Sequence, residues 1–161
     1  MRPIVPNLWF DTEAEQAAEF YVSVFPDSRI ISTALYPEGA PGPEGTVMTV
    51  EFEVNGQRFA GINGGPQFPF TEAVSFQVTC ETQEEVDRYW EVLTEGGEES
   101  MCGWLKDRYG LSWQVVPGGM EEVFADPDPS RAQRAMQAML GMRKLDLAAL
   151  QAAADGTVPV A

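Results

Sequence analysis

Hydrophobic and polar positions alternate along this chain with two periods, and the switches between them mark its elements. The apolar stretch over residues 4–10 predicts a strand, which Pro6 confines to an edge or a strand end. Thr12-Glu13-Ala14-Glu15 then matches a capping box, the pattern that opens a helix. Ala14, Ala17, Ala18, Tyr21 and Phe25 follow at helical spacing as one apolar stripe, and Pro26 ends it. Residues 29–36 predict a strand that runs into a loop rich in Gly and Pro over 37–45. From 47 to 54 the period drops to two: Met48, Val50, Phe52 and Val54 share one face, Thr49, Glu51 and Glu53 the other. Asn55-Gly56 is a strong hairpin signal, since both residues tolerate positive φ, and residues 57–63 supply the partner strand.

After Gly64-Gly65-Pro66 the order restarts. Val74, Phe76, Val78 and Cys80 alternate with Ser75, Gln77 and Thr79 in a strand. Thr82-Gln83-Glu84-Glu85 is a second capping box, Val86, Tyr89, Trp90 and Leu93 form a second stripe, and Gly96-Gly97 end that helix. Strands are predicted around 100–105 and 111–116, with Tyr109-Gly110 turning the chain between them. Each half has a strand, a Thr-capped helix with an aromatic doublet (Phe20-Tyr21, Tyr89-Trp90), then strands joined by a Gly turn. This predicts an α+β fold of two β-α-β-β-β units, not a doubly wound sheet, because most connections are hairpins. Beyond it, Asp128-Pro129-Ser130 precedes a stripe of Ala132, Ala135, Met136, Met139 and Leu140. Asp146 opens a short helix with Leu147, Leu150 and Ala154, and residues 156–161 are expected to fray.

Composition narrows the chemistry. The chain has 161 residues, the length of one domain, and contains no histidine. That absence excludes a Ser-His-Asp triad, a Cys-His dyad, an H-E-x-x-H zinc site and a two-His-one-carboxylate iron site. Ten basic against 25 acidic residues give a net charge of −15, which argues against nucleic acid and against an anionic membrane surface, and reads as solubility. Two cysteines are too few for a disulfide scaffold. Prolines interrupt the N-terminus where a signal peptide needs an apolar stretch, and no apolar run approaches the roughly 20 residues that span a bilayer. A reduced, cytoplasmic protein is expected.

Several ordered motifs identify a relationship. Leu8-Trp9-Phe10-Asp11, Glu19-Phe20-Tyr21, Phe25-Pro26-Asp27-Ser28 and Asn63-Gly64-Gly65-Pro66 are followed by Cys102-Gly103-Trp104-Leu105-Lys106-Asp107 and Leu111-Ser112-Trp113-Gln114-Val115-Val116-Pro117. Together they resemble the PhnB-like branch of the vicinal oxygen chelate superfamily, the group of glyoxalase I, bleomycin-resistance proteins and extradiol dioxygenases. Branch members often carry the label demethylubiquinone methyltransferase-like. The resemblance implies two β-α-β-β-β units folding a sheet around a cleft with helices outside (the glyoxalase/bleomycin resistance fold). It places that domain at 1–119, with units at about 1–66 and 71–118 and a helical extension over 120–161. It also implies a homodimer.

Metal-dependent members of the superfamily hold an ion with two His and two Glu, or close variants, one from each of four strands. The matching positions here are Pro6 or a neighbour, a residue within 60–63, Ser75 and Gln114, none of them an imidazole or an anionic oxygen. The expectation is therefore a fold without the metal, and no cofactor. The cleft would be lined by Trp9, Asn63, Ser75, Gln77, Cys102, Trp104 and Gln114. Trp113 points toward the helix face by alternation and is assigned to the core. Cys80 lies on the apolar face of its strand, and Cys102 has no histidine to activate it, so both read as structural thiols.

Other motifs have plainer explanations. Gly64-Gly65 lacks the spacing and the following helix of a phosphate loop, which also argues against a Rossmann-type site for S-adenosylmethionine. The pairs Glu84-Glu85, Glu98-Glu99 and Glu121-Glu122 are adjacent in sequence and do not share a helix face. Asp107 reads as a turn cap beside Gly110. The leading expectation is metal-free binding of a small molecule in the cleft of a homodimer, to which an acidic chain would suit a cationic ligand. The Met136, Met139 and Leu140 stripe either serves the dimer contact or packs on its own domain. The alternatives are an enzyme with an atypical site (lyase, isomerase, dioxygenase or, by family label, methyltransferase) and a structural dimer with a closed cleft.

Overall fold

A computed structural model describes residues 4–157, and its first strand is set by pairing rather than by hydrophobicity. Strand β1 (Asn7–Phe10) is shorter than the apolar stretch that contains it. It lies parallel to β4 (Gln57–Asn63), in register from Asn7 opposite Ala60 to Phe10 opposite Asn63. Helix α1 (Ala14–Val24) buries the predicted stripe of Ala14, Ala17, Ala18 and Tyr21, together with Val24. Strand β2 (Arg29–Leu35) forms one edge, and β3 (Val47–Val54) pairs with β4 through the Asn55-Gly56 turn. Both turn residues have positive φ, 46° and 78°, as a two-residue hairpin of this type requires. The sheet order is β1-β4-β3-β2. Val50, Phe52 and Val54 point to α1, where the rings of Tyr21, Phe52 and Phe59 stack in sequence.

The chain divides into two units, Met1–Phe70 and Thr71–Ala161. The second repeats the plan of the first. It runs β5 (Ser75–Cys80), α2 (Gln83–Thr94), β6 (Glu98–Glu99), β7 (Trp104–Lys106) and β8 (Ser112–Pro117), with sheet order β5-β8-β7-β6. Val86, Tyr89, Trp90 and Leu93 of α2 are buried as predicted, and the helix packs on β5, β7 and β8, whose Leu105, Trp113 and Val115 are buried too. Trp113 is thus in the core. Three helices follow: α3 (Met120–Phe124), α4 (Pro129–Leu140) and α5 (Leu147–Asp155). Asp128 and Asp146 cap the last two as anticipated. These helices bury Ala135, Leu145 and Leu150. Gly156 caps α5 in the left-handed region, and residues 158–161, also expected to fray, lie outside the described residues.

Two local readings need correction. The predicted strand over 100–105 shrinks to β7, with β6 just before that range: Cys102 and Gly103 take positive φ (59° and 82°) and turn the chain between the two strands. Their N–H groups donate to Met142 O and Arg143 O, both at 2.7 Å, so the turn is held by the segment between α4 and α5. The short helix α3 was not anticipated, since five residues carry no readable periodicity.

The second correction concerns the two capping boxes. Thr82 caps α2 and accepts from Glu85 N at 3.2 Å. Thr12 caps nothing: α1 begins at Ala14, with Glu13 in the cap position and no side-chain cap bond from it. Instead the Ala14 N–H donates to Asn63 Oδ1 at 2.8 Å, from the end of β4. The Asn63 side-chain amide also donates to Val47 O at 3.0 Å, and the backbone carbonyl of Asn63 accepts from the Tyr36 hydroxyl. One buried amide therefore ties α1, β3 and β4 together. Thr82→Ala should cost about 1 kcal/mol in urea unfolding, and Thr12→Ala less than about 0.5 kcal/mol. Asn63→Ala should cost about 2–3 kcal/mol, because it removes a cap, strands the buried Ala14 N–H and unpairs the part-buried Val47 carbonyl. Equal losses for the two threonines would contradict this assignment.

Candidate functional site

The second unit's sheet has one face against α2 and one turned away from it, and the hairpin between β7 and β8 decides which side chains occupy the latter. Asp107, only 2% exposed, closes that hairpin. Its Oδ1 accepts from Tyr109 N at 2.8 Å and Leu111 N at 3.1 Å, and its Oδ2 from Trp113 Nε1 at 2.9 Å. With this turn fixed, Lys106 lies opposite Ser112 and Trp104 opposite Gln114. Parallel pairing with β5 adds Ser75 beside Ser112 and Gln77 beside Gln114, and β6 adds Glu98 beside Lys106. Register partners point to the same face. The face thus carries two cross-strand rows: Ser75, Ser112, Lys106 and Glu98, then Gln77, Gln114 and Trp104.

The rows are chemically uneven. Gln114 Nε2 donates to Ser75 Oγ at 2.9 Å, and Gln77 Nε2 to Thr79 Oγ1 at 3.1 Å. Toward the β6 edge, a cavity of about 140 Å³ is lined by Glu72, Glu98, Glu99, Ser100, Trp104, Lys106 and Ser112, among others. Lys106 Nζ pairs with Glu72 Oε1 at 2.6 Å. The hydrogen bond from Lys106 holds the Glu72 carboxyl below its ordinary pKa, and the same bond raises that of Lys106. Glu99 accepts from Trp90 Nε1 at 3.2 Å and from Arg143 at 3.3 Å. Ser112 is wholly buried, and its hydroxyl has no hydrogen-bond partner among the described residues.

Of the residues expected in a cleft, Ser75, Gln77, Trp104 and Gln114 fall together on this face. Cys102 lies in the turn before β7, where its Sγ donates to Met139 O at 3.6 Å. Trp9 and Asn63 belong to the first unit and to opposite faces of its sheet. Trp9 shares a row with Ile62 and Thr49, turned away from α1, whereas Asn63 sits beside Phe10 on the α1 side. The indole Nε1 of Trp9 donates to Gly65 O at 2.8 Å, and its ring meets Phe68 edge-on. A β-carbon at Gly64 would overlap that indole, which accounts for glycine there. The first unit also holds a groove of about 760 Å³ beside the start of α1, bounded by Asp11, Glu15, Tyr36, Asn63 and the loop over 41–47. Ser112, Lys106 and Glu72 were not singled out as site residues. The legible signal was the parity of Ser112 with Gln114, a hydroxyl set between the apolar Leu111 and Trp113.

The residues do not fit the divalent ion that metal-dependent relatives of this fold hold. Ser75 and Gln114 are bonded to each other, and both are neutral. In the first unit the corresponding stretch offers Pro6, Asn7, Ala60 and Ile62, and the Asn7 amide donates to Val5 O. Among the described residues no group of three or more His, Cys, Asp or Glu side chains is placed to hold a metal.

Comparison with solved structures defines the class first. The chain resembles a Pseudomonas aeruginosa protein (20% identity, 73% of this chain and 98% of that one, TM-score 0.60). It also resembles FosX, the fosfomycin resistance protein of Listeria monocytogenes (18% identity, 75% and 94% coverage, TM-score 0.52). Two four-stranded sheets with this connectivity, and these neighbours, are the vicinal oxygen chelate fold. The family follows from closer matches. Residues 2–116 match the profile described as 3-demethylubiquinone-9 3-methyltransferase. A PhnB protein of Bacillus cereus, described as a candidate enzyme of that name, shares 40% identity over 73% of this chain and all of its own, with a TM-score of 0.67. The chain belongs to this PhnB-like family of the superfamily. A comparison with curated proteins returns no match. No helix among the described residues is long and apolar enough to cross a membrane.

The two thiols differ in a way that chemistry can read. Cys80 is 1% exposed, and burial, with a smaller contribution from Glu85, pushes its thiol up to about 11. Its thiolate is therefore disfavoured in the fold. Cys102 is half-buried. A thiol reagent should modify Cys102 in the folded protein and reach Cys80 only on unfolding. The unfolded Cys80 loses its proton near pH 9 and the folded one near 11, so its contribution to stability is complete below pH 9 and is lost as pH rises toward 11. Unfolding measured across that window should show wild type losing up to about 1.4 kcal/mol per pH unit relative to Cys80→Ala. Parallel profiles would refute the assignment.

Proposed function

We propose that this chain binds a small polar molecule, without a metal, on the sheet face that carries Ser75, Gln77, Trp104 and Gln114, and that it works as a homodimer. The observation that carries the reading is the pair of cross-strand rows. Neutral amides and hydroxyls beside an indole, on strands held in register from both sides, are the mix of polar and aromatic groups that orients small ligands. Asn63 and Cys102 hold the fold, through α1 and through α4 respectively, and are left out of the contact set. The helices α3, α4 and α5 act as an extension that braces the second unit.

The dimer is supported by β2. This edge strand is exposed along its whole length, and Ile30, Ile31 and Leu35 are among its exposed apolar residues. Register irregularities at Ile30/Ser32 and Ala34/Leu35 bend the strand, so a second copy would cover its face more readily than extend its edge. A methyltransferase using a Rossmann-type cofactor site is not favoured: neither sheet is doubly wound, and Gly64-Gly65 leads into a linker rather than a helix.

A thermal-shift screen of the full chain against small polar compounds should yield ligands that raise the melting temperature by mass action. Gln114→Ala and Trp104→Ala should abolish those shifts while leaving the free protein folded. Light scattering should give about 35 kDa, twice the 17.7 kDa of one chain. Metal analysis of protein purified without chelator should find no stoichiometric divalent ion. One ion per chain, or hits indifferent to both substitutions, would defeat the proposal.

A further inference from the structure

We propose that the cavity beside Ser112 selects a small organic cation of the ammonium or guanidinium type, a refinement that rests on reading this face as a ligand surface. Three features converge. The first is the orphan hydroxyl. Ser112 is 0% exposed, its Oγ lacks a partner among the described residues, and the residue lines the cavity. Burying a hydroxyl without a hydrogen bond is unfavourable, so the position is maintained at a cost unless something fills it. Lys106 stands directly opposite Ser112 in the ladder and would be the natural donor. Its ammonium is instead drawn to Glu72 at 2.6 Å, which leaves the hydroxyl's lone pairs to an incoming N–H.

The second feature is charge. Two carboxylates, Glu72 and Glu98, line the cavity against one ammonium, Lys106, while the Glu99 carboxylate turns to Trp90 of α2. An anion entering here would meet that surplus of negative charge. A cation would meet Glu98 beside the Lys106–Glu72 pair, and the indole of Trp104 on the same lining offers its ring to it. The third feature is size. About 140 Å³ is the room of roughly four or five waters and falls well below the usual small-molecule pocket. It admits a single cationic group of a few heavy atoms, free or as the head of a larger ligand lying along Gln77 and Gln114.

The test titrates the full chain with methylammonium chloride, guanidinium chloride and sodium acetate at millimolar concentration and matched ionic strength, following backbone amide shifts by NMR. The cations should saturate with shifts centred on Ser112 and Lys106, and acetate should not. Ser112→Ala should weaken cation binding about tenfold or more. It should also leave the free protein's melting temperature unchanged or raised, since a methyl replaces an unpaired hydroxyl. Glu98→Gln, an exposed substitution that the fold tolerates, should weaken binding several-fold. A Ser112→Ala variant that binds normally, or that loses stability because the hydroxyl was structurally bonded, overturns the proposal, as does acetate binding as well as the cations. A larger ligand that shifts Gln77 and Gln114 but ignores both substitutions would keep the face as a binding surface and overturn the cation site alone. Loss of all binding, cations included, would sink both.

Discussion

A carboxylate almost sealed from water holds the second unit's sheet in one register. Burying a charge on Asp107 is tolerable only if its oxygens are filled, and the groups that fill them are two backbone N–H donors of its own turn and the Trp113 indole two residues into β8. That set of donors exists in one arrangement of the hairpin. A slip by a single residue would send Ser112 and Gln114 toward α2 and put Leu111 and Trp113 on the other face. The polarity of the candidate surface, and the pairing of Lys106 with Ser112, therefore depend on a turn residue that has no place on that surface.

The same duplicated plan is put to different uses in the two units. In the first, the equivalent strand end carries Asn63, whose amide bonds α1 and β3, and Trp9 is fixed by Gly65 and Phe68. Polar groups there are consumed in holding the backbone. In the second, α2 supplies its own cap through Thr82, so no strand residue is needed for that purpose. Ser75, Gln77 and Gln114 are left to satisfy one another or their immediate neighbours, in bonds that a ligand can exchange.

This contrast also explains what was legible in the sequence. Periodicity found the helices with their buried stripes and the 47–63 hairpin, because those features are local and each residue's partner lies within a few positions. It could not distinguish Thr12 from Thr82, since the difference lies in an asparagine 49 positions from the helix it caps. It ran the strand back to residue 100 and missed β6 because the turn at Cys102 and Gly103 is imposed by Met142 and Arg143, far along the chain. The site was half legible for the same reason. Alternation put Ser75, Gln77, Ser112 and Gln114 on one face, but strand parity does not reveal which hydroxyl lacks a partner or where Lys106 directs its ammonium.

The departure from the superfamily's metal chemistry follows from the same rows. At the two second-unit positions where relatives place ligands, an amide and a hydroxyl bond each other, and the first unit's corresponding stretch offers proline, alanine, isoleucine and an asparagine whose amide bonds Val5 O. Restoring a glutamate at 114 would supply one anionic oxygen to a set with no imidazole and no second carboxylate, too few to outcompete water for a divalent ion. Negative charge on this face lies instead at the β6 edge, on Glu72 and Glu98, beside a lysine and a buried hydroxyl. A cluster of that kind attracts a cation that brings its own N–H donors, because such a ligand can satisfy carboxylates and Ser112 together. A bare metal ion would have to exchange its water shell for a serine oxygen and a carboxylate already engaged by Lys106. In the proposed site, recognition therefore rests on hydrogen bonding and charge, where metal-dependent relatives of the fold use coordination.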